Sequence, residues 1–214
     1  MAMKPKKNIN TALLKTAFML SVFTIVYNVG EGFFSTFFGI KDDTLALLGF
    51  GIDSFVEVIS GIGIAHMIWR MKRSSIQERD HFERRALLVT GIAFYILAAG
   101  LIVGSVITVI NGSRPETTMV GIIISSISII TMWFLYRGKI KTGRAMESDP
   151  IIADARCTLT CFYLSFILLA SSLLYHIFQI GYIDAAGSLG IAVFAFREGK
   201  EALEKAERGE VPGG

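Results

Sequence analysis

Charge is scarce in this sequence. Asp, Glu, Lys and Arg make up 18% of 214 residues, hydrophobic residues 52%, and mean hydropathy is +0.56. A soluble domain of this length carries more charge, so the composition excludes one and points to several membrane spans. Cysteine is scarcer still. Cys157 and Cys161 are the only two, both in an uncharged run at one-turn helical spacing where a disulfide would be geometrically poor, so they are read as thiols. There is no internal repeat, low-complexity segment or phosphate-binding loop. The excess of three basic residues does not imply nucleic acid, because in a membrane protein the placement of the basic residues says more than their sum.

What the chain has in quantity is uncharged length. Thr16 to Ile40 is broken only by Glu31, and Thr44 to Trp69 only by Asp53 and Glu57. Ala86 to Ser113 and Thr117 to Tyr136 carry no formal charge, and neither does Cys157 to Ile183, whose helix is expected to start near Ile151 after Pro150. The shortest run is Ala185 to Phe196, 12 residues, which needs Arg197 and its neighbours to snorkel at the helix end. Lys4, Lys6 and Lys7 ahead of the first run imitate a secretory signal. The run continues far past a signal core and meets no small-residue cleavage site, so it is read as a first span that stays.

The predicted fold class is therefore all-α: a polytopic membrane protein with six transmembrane helices, residues 1–206, and a short tail, 207–214. Basic residues cluster in Arg70 to Arg85, in Arg137 to Pro150 and after Phe196. With both termini cytoplasmic, 18 of the 21 basic residues lie inside, leaving Lys41, Arg114 and Arg156. The expected location is integral to the cell (inner) membrane.

The stretch Leu48 to Gly63 carries the chemistry. Asp53 and Glu57 are the only formal charges among the 26 residues from Thr44 to Trp69, a length that rises about 39 Å as a helix and crosses a bilayer. Their i, i+4 spacing stacks them on one face. A carboxylate at mid-membrane costs about 2.5 kcal/mol or more, so a pair is normally kept for an ion, a proton or a counter-charge. Cys157 and Cys161 repeat the spacing on the fifth span. Counting residues from the cytoplasmic ends puts Glu57 about 18 Å deep and Cys161 about 15 Å deep. Two carboxylates and two thiolates make a four-ligand set for a borderline or soft ion.

The second span with Asp53 and Glu57, Ala153-Asp154-Ala155 at the start of the fifth, and the ending Asp184 to Ala202 resemble the cation diffusion facilitator family along nearly the whole chain. That resemblance implies a proton-coupled exporter of divalent metal, an antiporter working as a homodimer and not an enzyme, with no cofactor beyond its cargo. By the same resemblance Asp53 and Glu57 match the family's pair on the second span, while Cys157 stands where the family has His and Cys161 where it has Asp. The exchange keeps four ligands and moves the site toward softer ions, with zinc or cadmium the expected substrate. The loop from Arg137 to Pro150 lacks the histidines of many zinc members, and the chain is expected to be a short member without the cytoplasmic C-terminal domain.

Other residues have competing uses. Asp53 and Glu57 can serve as internal hydrogen-bonding groups between helices, and the two cysteines as small core residues. Glu31 is a proton relay, a second metal site, or a hydrogen-bonded interhelical acid. Asp154 and Arg156 are read as an ion-pair network, His66 and His176 as packed or interfacial, and Glu78, Asp80, His81 and Glu83 as solvated charges or a metal-capturing mouth. Gly100 and Gly104 form a GxxxG spacing that is a candidate dimer contact. A membrane thiol protein with a redox or regulatory role is the alternative function; against it, redox pairs usually have C-x-x-C spacing at a helix start.

Overall fold

The computed structural model describes residues 11–71, 77–112, 119–146 and 148–208, with the side chains of 70–87 and a few isolated positions outside that description. Lys4, Lys6 and Lys7, the Arg114-Pro115-Glu116 turn and the end of the tail lie outside the described residues, as do the side chains of Glu78, Asp80, His81 and Glu83. Among the described residues there is no strand. The elements are α1 (Thr11–Lys41), α2 (Leu45–Met71), α3 (Gln77–Asn111), α4 (Met119–Met146), α5 (Asp149–Phe178) and α6 (Tyr182–Arg208). The most extensive packing joins α1 to α2, α3 to α6 and α4 to α5.

The first pair is a tight hairpin. Asp43 takes a left-handed conformation at φ 55, while Asp42 N donates to Phe38 O (2.8 Å) and Thr44 N to Gly39 O (2.9 Å), so the last carbonyls of α1 are satisfied within three residues. Backbone then packs against backbone. A Cβ on Gly39 would lie 2.6 Å from Leu48 N, and one on Gly51 2.6 Å from Thr36 N, so this seam requires glycine. The first turn of α2 is capped from afar: Asp184 of α6 accepts from Leu45 N (2.8 Å) and Ala46 N (3.3 Å).

Five of the helices are long and apolar enough to cross a membrane, and α6 is not among them. Its polar groups are met by other helices: Asp184 by α2, Glu198 by Thr160 Oγ1 of α5 at 2.9 Å, and Ser188 by α3. Ser188 and Ser105 share a 2.6 Å hydrogen bond, and the two backbones close up where a Cβ on Gly91 or Gly199 would meet the other's carbonyl oxygen at 3.1 Å. Leu47, Phe50, Leu101, Met132, Leu164 and Ile191 form the buried apolar core drawn from α2 to α6. Outside, α1 exposes Phe33, Phe34, Phe37 and Ile40, and α3 exposes Ile96, Ile107 and Ile110, as a lipid-facing surface does.

Three expectations change. The basic stretch Arg70 to Arg85 is mostly helix and not a loop, since α2 runs to Met71 and α3 begins at Gln77. The stretch Arg137 to Pro150 is not a loop either: α4 runs through Met146 and α5 starts at Asp149, so the four basic residues lie on a continuing helix. Gly104 is taken up within the chain, with its missing Cβ 3.1 Å from the Leu45 side chain, whereas Gly100 has open space around it. The GxxxG spacing therefore serves α2–α3 packing in one half and leaves only Gly100 outward.

Candidate metal site

α2 turns Asp53, Ser54 and Glu57 into the bundle, exposed by 2%, 2% and 6%, because the opposite face of that helix carries Ile52 and Phe55 outward. Both ends of the depth count move outward by two residues, to Met71 and Asp149, which leaves Glu57 about 21 Å and Cys161 about 18 Å from their ends. The levels still match, and the contact forms: Cys161 Sγ donates to Asp53 Oδ2 at 3.0 Å. Glu57 is the next carboxylate facing that thiol. Cys157 lies one turn earlier on α5 and is half-buried; neither cysteine is in a disulfide. No group of three His, Cys, Asp or Glu side chains stands ready to hold a metal ion among the described residues.

The helices around this pair supply neutral polar groups. Asn28 of α1 donates from Nδ2 to Glu57 Oε2 at 2.8 Å. Glu31, one turn further along α1, accepts from Tyr27 OH (2.9 Å) and Ser54 Oγ (3.0 Å), so it is held in hydroxyls at the level of Asp53. Ser165 Oγ donates to Cys161 O at 2.8 Å and shares a 2.9 Å hydrogen bond with Ser128 Oγ, tying α5 to α4 beside the thiol. Burying carboxylates is costly unless they are hydrogen-bonded, and each of the three has a donor. None forms an ion pair with Lys or Arg among the described residues.

The nearest buried cation is committed elsewhere. Lys139, 2% exposed on α4, pairs with Asp154 Oδ2 at 2.8 Å and donates to Thr158 Oγ1 at 2.9 Å. Its charge also reaches Glu57. Asp154 thus belongs to an ion pair as expected, but its partner is Lys139, and Arg156 is exposed on the other side of α5. Lys139→Met should destabilise the protein by about 3–5 kcal/mol, because it leaves Asp154 buried and unpaired. Lys139→Met with Asp154→Leu should recover most of that loss. Thermal melting in detergent checks both; equal melting points for the single variant and the parent would show that the pair holds nothing together.

Of the sequence-predicted residues, the structure brings together Asp53, Glu57 and Cys161, sets Cys157 one turn away, and places Glu31 in an adjoining hydroxyl cage. His66 packs near Trp69, ring centroids 6.2 Å apart, and His176 is exposed in the last turn of α5, so neither reaches the site. Asn28, Tyr27, Ser54 and Lys139 escape a reading that follows formal charge inside apolar runs. The signal for the first two was their spacing: Tyr27 and Asn28 precede Glu31 by four and three residues, on one face of the first span. Residues 18–206 match the family model described as the cation efflux transmembrane domain.

Proposed function

The chain belongs to the cation efflux family, whose transmembrane domain transports metal cations, and from that premise we propose that it exports zinc or cadmium in exchange for protons. The proposed substrate site is Asp53, Glu57, Cys157 and Cys161. The observation that carries the reading is the 3.0 Å contact of Cys161 Sγ with Asp53 Oδ2, which joins the acid pair of α2 to the thiol pair of α5 inside the bundle. Three buried carboxylates without a direct ion-pair partner among the described residues favour a dication, whose charge repays their desolvation. Thiolate adds preference for zinc and cadmium over manganese, magnesium or calcium.

Proton coupling follows from the same donors. A thiol ligates only after losing its proton, so loading metal releases protons and reprotonation from the far side drives the metal off. The chain is proposed to lie in the cell (inner) membrane with both termini cytoplasmic, in line with its basic clusters, and to work as a homodimer held by its spans, with Gly100 and not the Gly100–Gly104 pair as the available small-residue contact.

Sealed proteoliposomes test this reading. Zinc and cadmium flux should rise several-fold when a pH gradient is imposed, while manganese flux stays near the leak. Zinc and cadmium flux indifferent to the gradient would remove proton antiport, and no metal flux above protein-free vesicles would remove export by this chain altogether.

A further inference from the structure

Asn28 is the residue at this site whose hydrogen bonding is half complete. Its side chain is fully buried, its Nδ2 donates to Glu57 Oε2 at 2.8 Å, and its Oδ1 has no hydrogen-bond partner among the described residues. The amide nitrogen faces the Glu57 carboxyl and the oxygen faces away from it. An acceptor with two lone pairs is then left inside a membrane span, on the same carbon as the nitrogen that holds Glu57.

Other buried atoms lack partners too, but they differ in kind. Ser35 Oγ and Thr36 Oγ1 are hydroxyls, which can turn to bond a carbonyl of their own helix, and Asp42 Oδ2 sits at the α1–α2 link away from the site. The amide oxygen of Asn28 has no such local outlet. The nearby hydroxyls of Tyr27 and Ser54 are already donated to Glu31. An amide carbonyl is a regular oxygen ligand for divalent cations, and a cation satisfies it as no available donor does.

We propose that Asn28 is a metal ligand contributed by the first helix, binding the transported dication through Oδ1 beside Asp53, Glu57 and Cys161. This rests on the reading of those residues as the substrate site. It changes the character of that site: with Asn28, Asp53 and Glu57 the oxygen donors outnumber the thiols, which moves the set toward a borderline ion such as zinc or cobalt. It also couples α1 to α2 and α5 through the metal, so that loading and release act on three helices at once.

Cobalt(II) titration of the purified full chain tests it, because the sulfur-to-metal charge-transfer band reports the thiolate and the d–d bands report coordination number. Asn28→Ala should keep the charge-transfer band, alter the d–d bands, and weaken cobalt binding by about tenfold or more. Asn28→Asp is nearly isosteric and carries the test even if the alanine variant fails to fold. It keeps an oxygen ligand but loses the N–H donated to Glu57, so a ligand role predicts retained or tighter binding. Weakened binding in Asn28→Asp, or unchanged affinity and d–d bands in Asn28→Ala, would overturn the inference while leaving the other ligands in place. Cobalt binding that ignores Asp53→Asn would instead overturn the substrate site on which the inference rests.

Discussion

Asp53→Asn should reduce zinc and cadmium flux in proteoliposomes by on the order of 100-fold or more, since even groups that merely orient a metal ligand are worth 10–100-fold. Asparagine preserves the volume of the side chain and an oxygen able to accept from Cys161 Sγ, so the helix contact at 3.0 Å survives in kind. What it removes is the negative charge, which is the property a dication needs and a packed interface does not. The same substitution should leave thermal stability unchanged or raise it, because a carboxylate buried in the bundle pays desolvation with no cation beside it among the described residues. Loss of transport with an equal or higher melting point is the expected pair of results. Near-normal flux would mean that Asp53 is an interhelical hydrogen-bonding group and that substrate passes elsewhere.

The ease of finding Asp53 and Glu57 has a physical basis. A carboxylate inside an apolar run is so costly that it announces itself, and the i, i+4 spacing then fixes their shared face. Helix number came from the same contrast between uncharged runs and charge clusters. That contrast fails where a charge is buried in a pair: Lys139 reads as part of a cytoplasmic basic loop, yet it lies within α4, neutralised by Asp154 fifteen residues later in the chain. No spacing rule joins those two positions, since their contact depends on how α4 and α5 pack.

Neutral polar residues were hidden for the opposite reason. Asn28, Ser54 and Ser128 carry no charge and cost far less to bury than a carboxylate, so they leave no anomaly in the sequence. Their roles exist only in the folded bundle, where Asn28 reaches Glu57 across 29 residues of chain and Ser128 reaches Ser165 across 37. Asp184 was visible only as part of a terminal motif. Its use, capping α2 from the start of α6, depends on both helices beginning at the same end of the bundle.

The two cysteines separate most clearly by substitution. Cys161 is 4% exposed and touches Asp53, whereas Cys157 is half-buried one turn earlier. Cys161→Ser should therefore lower cadmium transport relative to zinc by about tenfold or more, since a hydroxyl replaces the soft ligand that favours cadmium. Cys157→Ser should shift that ratio in the same direction by less, because its thiol must swing toward the carboxylates to join the shell. Cys157→His with Cys161→Asp replaces both soft ligands by harder ones while keeping four donors, and should retain zinc transport with cadmium demoted. Competition assays with both ions in one vesicle population measure the ratio directly and cancel differences in expression or folding. An unchanged metal ranking in the double variant would show that neither thiol touches the substrate. A larger shift from Cys157→Ser than from Cys161→Ser would mean that loading turns α5 enough to exchange the roles of the two thiols.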